Sequence, residues 1–177
     1  MVAEPLFQDL LKMEKLNLPE YQLKIKTSAG KKEIFDRIRK KYVVLTPEEW
    51  VRQNFIQYLI EKKNYPASLI SVEAGLKLFK VKKRSDILVF QNTGKPVMIV
   101  ECKSAKVKID QSVFDQIARY NMALRVNYLV VTNGLSHYCC YLDYENNSYK
   151  FIENIPEYGS LFTTPKPEQV RVKKKDS

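Results

Sequence analysis

Three short apolar runs constrain this chain more than anything else in it: ILVF at 87–90, VMIV at 97–100 and LVV at 129–131. Each is too short for a helix, and none shows the polar alternation of a half-exposed strand. They read as strands buried on both faces, and such a sheet needs helices packed against each side. Two helices are legible. TPEEWVRQNFIQYLIEKK (46–63) opens with Thr46 as N-cap, Pro47 at the first helical position and Glu49 placed to complete a capping box. Trp50, Phe55, Tyr58 and Leu59 recur at helical spacing and are expected to face the core, and Asn64–Tyr65–Pro66 ends the helix. DQSVFDQIARYNMALR (110–125) gives the second helix.

The strands fall between and around them. SLISVEAGLKLF (68–79), RSDILVFQ (84–91) and KPVMIVECKS (95–104) follow the first helix, with a tight hairpin turn at Asn92–Thr93–Gly94–Lys95. NYLVVT (127–132) follows the second helix, and an antiparallel pair, 136–143 and 148–153, comes last. Ahead of the first helix, residues 21–45 read as two or three strands around Ser28–Ala29–Gly30, rich in Lys and Arg. That richness suits a nucleic-acid groove and ordinary solvated strand faces equally. Residues 5–16 fit a short amphipathic helix, and VRVKKKDS at the end reads as a disordered basic tail. The expected organisation is one domain over 1–160, with a core at about 35–153, an N-terminal extension over 1–45 and a tail over 161–177.

Composition narrows the class of partner. A net charge of +10 suits a polyanion, nucleic acid or an anionic surface. No stretch is apolar enough to span a bilayer, and the N-terminus lacks a signal-peptide core, so a cytoplasmic protein without a membrane partner is expected. Cys102, Cys139 and Cys140 lie on strands without CxxC spacing, which argues against a disulfide frame or zinc site. His137 is the single histidine, which makes a histidine-based hydrolase unattractive.

One stretch breaks the apolar pattern. VECKS (100–104) ends a buried strand with Glu101 and Lys103 on one face and Cys102 on the other. A two-residue turn at Thr93–Gly94 pairs Asn92 with Lys95 and, running on, sets Asp86 opposite Glu101. Asp86, Glu101 and Lys103 then share one end of a face otherwise made of Leu88, Phe90, Val97 and Ile99. Ile87, Val89, Met98, Val100 and Cys102 form the other face. Buried charges are costly unless they pair or bind something. Two carboxylates suit Mg²⁺, which prefers hard oxygen ligands and is held by one or two carboxylates plus water and phosphate. On the second helix Gln116 and Tyr120 stand four apart, on the side that carries Val113, Ile117 and Leu124.

The order helix, three strands, helix, strand, with Asp86…Glu101-x-Lys103, resembles the PD-(D/E)XK nuclease superfamily, Ser85–Asp86 standing where Pro-Asp is frequent. Gln116 to Tyr120 resembles the QxxxY motif of its RecB-like branch. LTPEEWVRQ, RSDILVF, IVECKS and VTNGLSHY resemble the nuclease domain that opens the R subunits of type I restriction enzymes, over roughly residues 35–145. The resemblance implies an α/β restriction-endonuclease-like core, αβββαβ, with a mixed sheet flanked by helices. It implies a Mg²⁺-dependent deoxyribonuclease, with Mn²⁺ as substitute, acting through metal-activated water. Asp86, Glu101 and the backbone carbonyl of Cys102 would hold the metal, with Glu49 or Glu73 as a further ligand. Lys103 would assist the water, and Gln116 and Tyr120 would orient the site or the strand. Arg84, Lys106 and Lys108 are the expected nucleic-acid contacts. The type I subunits carry an ATP-driven motor, and this sequence has no GxxxxGK[ST] P-loop. A stand-alone nuclease, a homodimer or one part of an assembly with restriction or motor subunits is therefore expected. The alternative is a non-catalytic or partner-dependent DNA-binding module of the same fold, and nothing in the sequence separates DNA from RNA.

Overall fold

The computed structural model describes residues 13–73 and 86–163. The three apolar runs form β5 (Ile87–Phe90), β6 (Pro96–Cys102) and β7 (Tyr128–Thr132) at the centre of a six-stranded sheet. Its order is β4-β5-β6-β7-β8-β9, with β4 at Ile70–Val72, β8 at His137–Asp143 and β9 at Ser148–Ile152. Among the described strands only β6 and β7 run parallel, and the helix between them, α2 (Gln111–Leu124), makes the crossover. All seven residues of β6 are buried.

The sheet is covered on both sides. The first helix, α1 (Pro47–Lys63), sets Val51, Phe55, Ile56 and Leu59 against Ile87, Val89, Met98, Val100 and Cys102. On the opposite face α2 sets Val113, Ile117 and Leu124 against Leu88, Ile99, Leu129 and Val131. This is the mixed α/β, restriction-endonuclease-like arrangement that the apolar runs and the resemblance implied. Thr46 caps α1, its Oγ1 accepting from the Glu49 N–H at 3.0 Å. The other half of the expected capping box is missing, because the Glu49 carboxylate is held by Arg39, Arg52 and Gln53. Trp50 and Tyr58 are half-buried; Tyr58 packs against the core beside Phe55, as expected, whereas Trp50 is not among the residues of the core. Trp50 lies where the N-terminal segment crosses α1, and its Nε1 donates to the Glu14 carbonyl at 3.1 Å.

The β5–β6 hairpin departs from the expected turn and still reaches the expected register. Gly94 N donates to Gln91 O and Gln91 N to Lys95 O, so Asn92 and Thr93 make the turn and Gly94, at φ +84, follows it left-handed. That shifts the pairing by one residue, and Phe90 faces Pro96. A bulge at Val97 shifts it back, so Val89–Met98, Leu88–Ile99 and Ile87–Val100 pair as expected. The bulge turns Val97 to the α1 side of the sheet instead of the α2 side expected for it.

Residues 21–45 form a separate three-stranded antiparallel sheet, β1 (Ile25–Ser28), β2 (Lys31–Asp36) and β3 (Lys41–Val44). Ala29 and Gly30, both at positive φ, make the two-residue turn between β1 and β2. The strand expected at 68–79 is described only to Glu73. Most of the helix expected at 5–16 and of the tail over 161–177 lies outside the described residues. After Pro156, where irregular chain was expected, Tyr158–Phe162 makes a short 3-10 turn. None of the described helices is long and apolar enough to cross a membrane.

Candidate active site

The carboxyl ends of the parallel strands β6 and β7 are where ligands bind in sheets of this kind, because the chain leaves them through loops that can be shaped freely. Glu101 is the penultimate residue of β6, and Lys103 follows the strand, its N–H donating to Thr132 O at the end of β7. Asp86 immediately precedes β5. The Ile87–Val100 pairing continues to place it opposite Glu101. Its carboxylate closes the end of the hairpin: Oδ2 accepts from the Cys102 backbone N–H at 2.7 Å, and Oδ1 accepts from Arg52 Nη2 at 2.7 Å.

Arg52, on the second turn of α1, is 4% exposed and gathers acids from three elements. Beyond Asp86 it reaches Glu49 at 2.5 Å, Glu48 at 3.3 Å and Glu73, at the end of β4, at 3.4 Å. Arg39 lies in the turn between β2 and β3. It donates to Glu73 at 2.9 Å, to Glu49 at 3.1 Å and to Asp36, which also accepts the backbone N–H groups of Ile38 and Arg39. Lys103 Nζ donates to Glu101 at 2.9 Å. Six carboxylates thus meet three cations in one corner of a chain whose net charge is +10.

Burial, and next the charge of Asp86, push the Glu101 carboxyl above the usual range, and Lys103 offsets part of this. Glu48 is raised by the same two causes, with Arg52 and Lys103 opposing. Burial is the larger cause in both, and the neighbouring carboxylates add to it. Burial alone would lower Lys103, but the hydrogen bond and charge of Glu101, with Glu48 and Asp86 behind it, hold its pKa above the ordinary lysine value. It is an ammonium here. Burial likewise opposes the charge of Arg52, and Asp86 and Glu49 more than restore it. Burial pushes the Cys102 thiol well up, so Cys102 can contribute through its backbone only.

Among the remaining expected site residues, Glu49 and Glu73 are both tied up by the two arginines. Glu48, exposed by about half and coupled to Asp86, Glu101 and Lys103, is the helix glutamate that faces the strand-end acids. Gln116 is half-buried on α2, with Tyr120 one turn farther along the same helix. Lys106 and Lys108 are exposed on the loop that follows Lys103. Arg84 lies outside the described residues. Sequence reasoning missed Glu48, Arg39 and Arg52. For Arg52 a signal existed: it stands between Val51 and Phe55 on the face of α1 that the apolar residues mark as buried.

The family of the type I restriction enzyme R protein N terminus matches residues 47–156, from the first residue of α1 to just past β9. The chain belongs to that family. None of the curated proteins matches it significantly. Among solved structures, it is similar to a fragment from Vibrio vulnificus YJ016 assigned to an HsdR subunit of a type I restriction enzyme, at 20% identity and a TM-score of 0.48. The likeness covers 67% of this chain and 25% of that one. β1–β3, which bring Arg39 to the acids, precede the part of the chain that the family match covers.

His137, at the start of β8, is a structural residue. Its Nε2 lies 3.0 Å from the Asn17 carbonyl, which can only accept, so Nδ1 accepts from the Thr132 hydroxyl at 2.7 Å. Phe55 and Tyr58 pack on the ring. Burial lowers its pKa, so the unfolded chain takes up a proton at a pH where the folded chain does not. Stability is then full above the ordinary histidine value of about 6.5 and is lost as pH falls from there through the folded value. Urea midpoints should drop on moving from about pH 7.5 to about pH 5.5, and His137→Gln should flatten that slope.

Proposed function

We infer that this domain is a metal-dependent deoxyribonuclease that hydrolyses phosphodiester bonds at the Asp86–Glu101–Lys103 end of the sheet. The single observation that carries this reading is the place of the Glu101 carboxylate, at the carboxyl end of β6 where the Asp86 carboxylate closes the hairpin. It is buried beside Asp86, with one ammonium in contact, and lies at the strand end that the family match includes. A divalent cation would relieve that crowding. Among the described residues no three His, Cys, Asp or Glu side chains already converge as a metal cage. The donor set still fits Mg²⁺, which takes one or two carboxylates and keeps several waters.

Asp86 and Glu101 would hold the ion, with the Cys102 carbonyl and Glu48 as further oxygen ligands. Each carboxylate oxygen has two acceptor sites, so Asp86 can keep Arg52 and Cys102 N–H while accepting a cation. The bound ion would supply an acidified water and charge neutralisation at the phosphate. Lys103, as an ammonium, orients that water and opposes the charge that builds on the phosphoryl oxygens. Arg39 and Arg52 hold Glu49, Glu73 and Asp86 in place from α1 and the β2–β3 turn. Gln116 and Tyr120, carried by α2, would orient the site or the strand being cut, and Lys106 and Lys108 would meet its phosphates. Partner restriction subunits would supply any translocation.

One observation favours the second reading, a DNA-binding module without turnover: both Asp86 oxygens are already engaged. The two readings part on supercoiled plasmid. The nuclease reading expects nicking in Mg²⁺ that EDTA stops and that Asp86→Asn reduces by about a thousandfold or more. Nicking by Asp86→Asn at the wild-type rate would overturn the site. Salt-sensitive binding without nicking would favour the module.

A further inference from the structure

We propose that the outward face of the β1–β3 sheet is a binding platform for single-stranded nucleic acid, with Tyr42 and Phe35 stacking on unpaired bases and Lys24, Lys26 and Lys31 meeting the phosphates. Strand alternation separates the two faces of this sheet. Ile34 and Asp36 on β2 are fully buried on one side. Lys31, Glu33 and Phe35 alternate with them and point the other way. Their cross-strand partners share that outward face: Lys26 opposite Glu33, Tyr42 opposite Phe35, and Val44, 52% exposed, beside Glu33 on β3. Lys24 joins them, its carbonyl accepting from Phe35 N.

The face therefore carries two adjacent rings in the middle and lysines around them. Phe35 and Tyr42 pack edge to face, with centroids 5.2 Å apart. Lys26 Nζ lies 4.2 Å from the Tyr42 centroid and Lys24 Nζ 5.8 Å from that of Phe35. Glu33, paired with Lys26 at 3.3 Å, is the one acid that the described residues of β1–β3 place on this face. Flexible ammonium groups resting on ring faces can swing to a phosphate and leave the rings to a base. Paired bases present no free face for such stacking, so the occupant is a single strand and not a duplex. The sheet lies next to the acid cluster, since the β2–β3 turn carries Arg39 onto Glu49 and Glu73. The proposal rests on the nuclease reading for its purpose, and its test does not need cleavage.

The test is fluorescence anisotropy of a labelled oligothymidylate with the full chain in EDTA. Wild type should bind, with unlabelled duplex a poorer competitor than unlabelled oligothymidylate. Tyr42→Leu, which keeps an apolar side chain beside Phe35, should weaken binding by roughly five- to a hundredfold, and Tyr42→Phe should restore it. Lys24→Gln with Lys26→Gln should lower affinity and make the salt slope shallower by about 1.4, the value for two phosphates on a single strand. Circular dichroism and the unfolding midpoint show whether each variant is folded. No wild-type binding, wild-type affinity in folded Tyr42→Leu and lysine variants, or equal competition by duplex would each overturn the proposal. Binding that depends on Tyr42 in a chain that cuts nothing would sustain it while the nuclease reading fails.

Discussion

Replacing Arg52 with Met should cost roughly 3–5 kcal/mol of folding stability, the range for removing one partner of a buried ion pair. Methionine fills similar volume, so the loss is electrostatic. Asp86, 9% exposed, and Glu49, 6% exposed, would each lose a guanidinium contact, at 2.7 and 2.5 Å. Glu49 keeps Arg39 and Gln53, but Asp86 keeps only the Cys102 N–H as a described partner. Urea unfolding should show a lower midpoint at unchanged slope, and the melting temperature should fall by roughly 10 °C for a chain of this size. Arg52→Lys should not restore it, because a single ammonium cannot span carboxylates on α1, β4 and the start of β5. Arg52→Met with Asp86→Asn should lose less than the two single changes summed, since neutralising Asp86 removes the charge that Arg52 compensates. An Arg52→Met protein as stable as wild type would show that the network contributes little.

Lys103→Met should separate chemistry from folding. Lys103 sits beyond the strand with its side chain 21% exposed, and its loss leaves Glu101, 6% exposed, without its ammonium, so the unfolding midpoint should fall, but by less than in Arg52→Met, because Lys103 holds one carboxylate where Arg52 holds four. Phosphodiester cleavage should fall by about a hundred- to ten-thousandfold, the contribution of a positioned proton-handling or charge-stabilising group. Removing the ammonium also leaves Glu101 with still more uncompensated charge nearby, so Mg²⁺ binding should persist while turnover is lost. Single-turnover cleavage beside metal titration reads both. Wild-type turnover in Lys103→Met would remove the lysine from the reaction.

What the sequence made legible was local. Thr46 and Pro47 mark the start of α1 because capping needs only residues within one turn. The apolar runs mark β5, β6 and β7 because full burial leaves no polar alternation. The alignment of Asp86 with Glu101 was reached although the turn was misplaced. The Gly94 turn and the Val97 bulge each shift the register by one residue and cancel. A bulge has no reliable sequence mark, so plain strand alternation puts Val97 on the α2 side, and the structure puts it on the α1 side. Of the arginine network only the burial of Arg52, on the apolar face of α1, had a mark in the sequence; the pairings had none, because the partners lie far apart in the chain, Arg39 with Glu73 and Arg52 with Asp86. The same holds for the two helix glutamates. Glu48 and Glu49 differ by about 100° around α1; Arg52 reaches both, and Arg39 and Gln53 hold only Glu49, which leaves Glu48 nearer the strand-end acids.

The central claim, that Glu101 and Asp86 form a cation site that drives cleavage, is tested most directly by calorimetric titration of Mg²⁺ into wild type and Glu101→Ala, with DNA cleavage measured on the same samples. The account predicts that wild type binds Mg²⁺ and cuts, and that Glu101→Ala remains folded and does neither. Mg²⁺ binding of wild-type strength in Glu101→Ala, or no binding by wild type, would contradict it and leave Glu101 and Lys103 as a structural ion pair at the end of the sheet.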